Sequence, residues 1–159
     1  MNNKNKIKPV PKNLLPAAFE FSMGPDIANN YYVTWLPDLQ MIELRIDGYV
    51  NFVDESAESN NPYIKRVKVS ASQWRVFWAV LEHIKAWGWG PQYSNVYILD
   101  GSSWGLNIKY RGKKLKSQGC NAVPGYDDQS IETNDSFILL IAALNMLLGG
   151  DYIPENVLP

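Results

Sequence analysis

The sequence predicts an α+β domain, a single antiparallel sheet of about six strands with two helices packed on one face. Three observations carry this. Apolar and polar residues alternate with a period of two in several segments, most clearly where Trp104, Leu106, Ile108 and Tyr110 interleave with Gly105, Asn107, Lys109 and Arg111. Two further segments, 70–84 and 137–148, carry helical spacing or an apolar run of helix length. A chain of 159 residues with 46% hydrophobic content is also large enough for one well-buried core and too short for two ordinary domains. Residues 17–159 therefore read as the domain, and residues 1–16 as a flexible, extended arm in which Lys4, Lys6, Lys8 and Lys12 alternate with Pro9 and Pro11.

Taken in order, 31–35 and 41–50 read as strands joined across Pro37-Asp38, with Ile42, Leu44 and Ile46 inward and Glu43, Arg45 and Asp47 outward. A polar loop fills 53–62. The next strand, 63–69, sets Val67 and Val69 against Arg66 and Lys68. Ser70 with Gln73 three residues later is a capping box, and Trp74, Phe77, Trp78, Leu81 and Ile84 recur at helical spacing until Gly88 stops the helix. The apolar run 96–99 is a strand that reverses through Asp100-Gly101-Ser102-Ser103 into 104–111, and a last strand follows at 113–117. A polar loop with Asp127, Asp128 and Glu132 leads to the second helix, capped by Asn134, Asp135 or Ser136 and ended by Gly149-Gly150. This order gives strand, strand, strand, helix, twice. Residues 43–48 and 107–112 agree in apolar and charged order and in the terminal glycine, which suggests a duplicated unit.

Between Phe137 and Leu148 only Asn145 is polar, so this helix is apolar on every side, whereas covering one sheet face requires one apolar stripe. Its remaining side is either covered by the first helix and by apolar residues such as Leu14, Leu15, Phe19 and Ile153, or left open as a surface for self-association or for another protein. On the second reading Leu140 points outward.

Composition narrows the chemistry. Fifteen basic and sixteen acidic residues nearly cancel, so the net field offers no argument for nucleic acid or an anionic membrane. The single cysteine, Cys120, excludes an internal disulfide and fits a reducing compartment, and the single histidine, His83, excludes a multi-histidine metal centre. The amino end lacks an uninterrupted apolar core and a clear cleavage site, and no run approaches the ~20 apolar residues of a membrane-spanning helix, so a cytoplasmic protein without membrane contact is expected.

Candidate chemistry is sparse. His83 and Cys120 are the sole members available for a thiol–imidazole pair, and nothing in their spacing brings them together. Asp47, Glu82 and Asp100 show no spacing that pairs two carboxylates across a cleft. The acidic segment 127–132 lacks the alternation and central glycine of a calcium loop. No catalytic set, metal site or cofactor is assigned. The tangible candidates are for binding: Lys109, Arg111, Lys113, Lys114 and Lys116 on one hairpin, with Lys65, Arg66 and Lys68 on another strand, form a positive stripe if both polar faces lie on the same side. The alternative role of such lysines is to keep sheet faces and edges solvated. Trp89 and Tyr93, with Trp87, suit either a stacking platform or a wedge between helix and sheet.

The order Trp87, Tyr93, Leu99-Asp100-Gly101-x-x-Trp104-x-Leu106, then Ser117-x-Gly119-x-Asn121-x-x-Pro124 resembles a pattern found in small, largely uncharacterised bacterial proteins, over about a quarter of the chain. Cys120 stands where a serine is usual in that pattern, and Val123 where an aromatic is usual. The resemblance implies an accessory or immunity-type binding role and brings no catalytic residues. The sequence thus specifies a sheet and no reaction. The expectation is a non-enzymatic bacterial interaction protein, engaging a partner through a positive sheet face, through helix 137–148, or both. A nucleic-acid-binding module using the lysine hairpin and a small hydrolase using Asp100, His83 or Cys120 are the alternatives.

Overall fold

The computed structural model describes residues 9–26, 29–48, 62–97, 101–125 and 135–155. Seven strands, β1 (Ala18–Asp26), β2 (Asn29–Leu36), β3 (Met41–Asp47), β4 (Tyr63–Val67), β5 (Gln92–Ser94), β6 (Ser103–Tyr110) and β7 (Lys113–Cys120), form one sheet in the order β4-β3-β2-β1-β6-β7-β5. The helices are α1 (Ala71–His83) and α2 (Asp135–Leu148). The chain is α+β, as expected. Among the described residues there are seven strands instead of about six, and the sheet is mixed because β5 runs parallel to β7 while every other described pair is antiparallel.

Two strands account for the difference. The first is β1, at the middle of the sheet, where Phe19, Phe21 and Met23 alternate with Glu20 and Ser22. The second concerns the run 96–99: Val96 and Tyr97 lie in an exposed turn, residues 98–100 lie outside the described residues, and the strand is instead the short β5 just before them. No hairpin therefore joins that run to β6, which pairs with β1 and β7. The two halves are not copies either. β1 to β4 form a four-strand meander, whereas β6 and β7 form a hairpin with β5 returned to its far edge. That hairpin closes at Arg111-Gly112, both at positive φ (48° and 78°), the geometry of the tight turn whose twist matches its strands.

Both helices cover the same face. Trp74 of α1 meets Phe19 and Trp35 edge-on at 6.3 and 5.7 Å between ring centroids, and Phe137 of α2 lies 4.9 Å from Trp104. α1 begins with the expected capping box: Gln73 N–H donates to Ser70 Oγ (3.2 Å) and Ser70 N–H donates to Gln73 Oε1 (3.0 Å). Its end comes before Gly88, at Lys85, which takes the left-handed conformation (φ 54°). α2 is enclosed by the chain itself. Phe137, Leu140, Ile141, Leu144, Leu147 and Leu148 are buried, and Leu140, the position expected to face outward, is fully so. Asn145 explains the lone polar residue of this helix. Its Oδ1 accepts from the N–H groups of Tyr152 (3.1 Å) and Ile153 (2.9 Å), and its Nδ2 donates to the Ile153 carbonyl (2.8 Å), which straps the following segment over the helix.

The packed domain also starts earlier than residue 17. Leu14 and Pro16 are buried, the Trp78 indole N–H donates to the Leu14 carbonyl (2.8 Å), and Arg111 Nε donates to the Asn13 carbonyl (2.9 Å). Residues 1–8 of the expected arm lie outside the described residues.

Candidate functional site

Strand register decides which side chains share a face, because directly paired residues point the same way. On the side away from the helices, one row crosses six strands: Arg66, Glu43, Thr34, Glu20, Asn107 and Lys116. The next row places Arg45, Tyr32, Ser22, Gly105 and Gln118 side by side. No described element covers these rows. Ser22 and Gly105 are the small members of the second row, and they leave a depression of about 410 Å³ rimmed by Glu20, Tyr32, Asn107, Lys116 and Gln118. A second depression, of about 370 Å³, adjoins it toward Ser103, Gln92 and Cys120.

The face has two electrostatic halves. At the β3–β4 end charges cancel locally: Arg66 Nε lies 2.7 Å from Glu43 Oε2, and Arg45 Nε lies 2.7 Å from Asp47 Oδ1. The hydrogen bond from Arg45 to Asp47 holds the guanidinium pKa above its ordinary value. Arg45 also stands over the Tyr32 ring, 6.0 Å from its centroid. In the middle, Asn107 Nδ2 donates to Glu20 Oε2 (3.1 Å). At the β6–β7 end Lys109 and Lys114 stand directly opposite one another, with Lys116 two residues along β7. None of the three has a carboxylate partner among the described residues.

The positive stripe that would join the lysine hairpin to the strand carrying Lys65, Arg66 and Lys68 does not form. Lys65 pairs with Leu44 and so lies on the helix side, where its ammonium donates to Tyr152 Oη over a ring that stacks on Tyr63. Lys68 lies past the end of β4, beside the start of α1. Lys113 shares the helix side with Tyr110 and bonds Glu82, and that hydrogen bond holds the Glu82 carboxyl below its usual pKa. Arg111 sits in the turn against Tyr110. Of the candidate cations, Lys109, Lys114 and Lys116 share the open face with Arg66, and about five inter-strand spacings of ~4.8 Å separate Arg66 from Lys116.

Trp89 and Tyr93 act as a wedge. Their rings pack on Trp104 at 6.1 Å each, and Gly90 N–H donates to Tyr93 Oη (2.7 Å). The glycine- and asparagine-rich signature is likewise structural. A side chain at Gly119 would strike the Trp104 indole and the Ala122 carbonyl, to which Trp104 Nε1 donates at 2.8 Å. A side chain at Gly101 would strike the amide of Asn121, and Ser117 Oγ donates to the Gly90 carbonyl (2.7 Å). His83 closes α1 on the helix side, whereas Cys120 is exposed on β7 and pairs with Ser103 on the open face, so the sheet lies between them. Asp100 and the acidic segment 127–132 lie outside the described residues, and no cluster of three metal-ligating side chains occurs among those described. No described helix is long and apolar enough to cross a membrane.

Of the residues that line the depression, Glu20, Ser22, Tyr32, Asn107 and Gln118 are absent from the sequence-derived candidates. The available signal was the alternation of Glu20 and Ser22 with Phe19, Phe21 and Met23, which places them on the face opposite a buried one. No protein-family model and no curated protein matches this chain.

Proposed function

We propose that this chain is an interaction protein that engages another protein across the uncovered face of its sheet and performs no reaction of its own. The observation that carries this reading is the one-sided placement of α1 and α2. It leaves six neighbouring strands with a polar, dented surface under no described element. Such a surface is broad and shallow, and its hydroxyls, amides and charges suit hydrogen bonding to a protein surface more than enclosure of a small substrate. The separation of His83 from Cys120 by the sheet removes the thiol–imidazole pair from the hydrolase alternative. The bacterial, immunity-type association belongs to this same reading and rests on the resemblance of the signature alone.

The test is capture of the tagged chain's partners from nuclease-treated lysate of its own cells, compared with Ser22→Trp, which fills the depression from an outward position. A protein retained by the native chain and lost from the variant, at equal thermal stability, is the expected result. Identical retention by both chains would move the interaction off this face. Alkylation of Cys120, exposed at the end of the face, should also slow in the partner's presence.

A further inference from the structure

We infer that the occupant of this face is an acidic protein segment, seated on Lys109, Lys114 and Lys116 beside the central depression; this rests on the binding reading above. The argument starts from a local conflict. Lys109 and Lys114 are direct cross-strand partners, and like charges in that position destabilise a sheet. No described carboxylate forms an ion pair with either lysine or with Lys116: the direct neighbour of Lys109 on β1 is Ala18, and Glu20, its diagonal neighbour, accepts from Asn107 instead. Elsewhere the same face neutralises its charges locally, through Arg66 with Glu43 and Arg45 with Asp47.

Protection of a sheet edge accounts for lysines on β7, but not for Lys109. β6 lies inside the sheet between β1 and β7 and has no open edge to protect. The other cations of the hairpin are committed elsewhere, Lys113 to Glu82 and Arg111 to the Asn13 carbonyl. The unrelieved positive charge is therefore concentrated on one side of the hairpin, at the rim of the depression that Lys116 lines. Carboxylates of a partner segment supply the missing counter-charge.

Three cations without a described carboxylate partner, and one exposed aromatic ring on the described strands of this face, Tyr32, suit a short acidic segment better than nucleic acid, which calls for a longer row of phosphate contacts or successive stacking rings.

Fluorescein-labelled poly-L-glutamate is the probe, titrated into the native chain, into Lys114→Glu/Lys116→Glu, and into Arg75→Glu as a control exposed on α1, on the other side of the sheet. Binding weakened by about tenfold or more in the double variant, unchanged in the control, and tighter than that of a single-stranded oligothymidylate is expected. Lys114→Glu alone should raise the thermal midpoint by roughly 1–3 °C, because it turns the repelling pair into an attracting one. Absent poly-L-glutamate binding, equal binding by the double variant, or tighter binding of the oligothymidylate overturns the inference. So does an unchanged or lowered midpoint. If Ser22→Trp abolishes capture of the cellular partner while Lys114→Glu/Lys116→Glu does not, the binding face stands and its acidic occupant falls.

Discussion

At Gly119 the chain has room for a hydrogen atom and no more, because the Trp104 indole and the Ala122 carbonyl occupy the place of a side chain. Gly119→Ala must push the indole off its hydrogen bond or shift the strand, and overpacking of this kind costs about 2–3 kcal/mol. Urea unfolding should show that loss, while Cys120→Ser, at an exposed position next to it, should leave the midpoint within about 0.5 kcal/mol of the native chain. Equal effects at the two positions would contradict the packing described. The spacing of Ser117, Gly119, Asn121 and Pro124 was legible as a tight exit from a strand. What the glycine accommodates was not, since Trp104 reaches it across a strand pairing that spacing does not reveal.

Among the elements, α2 shows how an ambiguous pattern is resolved. An all-apolar helix fits either a buried position or a docking surface, and its composition is the same in both. Here α1, the Tyr152–Ile153 segment strapped by Asn145, and Trp104 close around it, leaving Leu139 partly exposed and Leu140 fully buried. Leu140→Glu should therefore abolish soluble folded protein, because burying an unpaired carboxylate and losing the leucine together exceed about 4 kcal/mol. Leu139→Glu should remain folded, and the soluble yield of each variant, with far-UV circular dichroism of what is soluble, separates the cases. A folded Leu140→Glu chain would return the helix to the surface. α1 was legible from its cap and stripe because both signals are local, within four residues of one another. β1 was missed although its alternation is clear, because it follows directly on the proline-rich amino-terminal stretch.

The whole molecule is organised around one contiguous core that runs from Leu14 to Ile153 and includes both helices and the inner side of the sheet. Neither half of the chain has a core of its own, since β6 completes the meander by pairing with β1. Unfolding in urea should consequently give coincident transitions by tryptophan fluorescence and far-UV circular dichroism. Separated transitions would mean that the two halves fold as independent units, as a duplicated architecture would allow. The same one-sidedness gives the molecule its functional character. The helices take one face of the sheet, and the other keeps a row of charges whose balance changes from paired at β3–β4 to unpaired at β6–β7.

The sequence by itself determined the class, the capped first helix, the alternation of most strands and the tight exit from the last strand toward Pro124, because each is written in neighbours a few residues apart. It also determined that each strand has a polar side. Only the tertiary structure decided which polar sides coincide. The pairing of β1 with β6 brings Glu20 beside Asn107, the turn at Arg111-Gly112 sets Lys109 against Lys114, and the register of β4 turns Lys65 toward the helices. Side-chain direction alternates at every residue, so a face is assembled by long-range register, and register is a property of paired strands that no single strand contains.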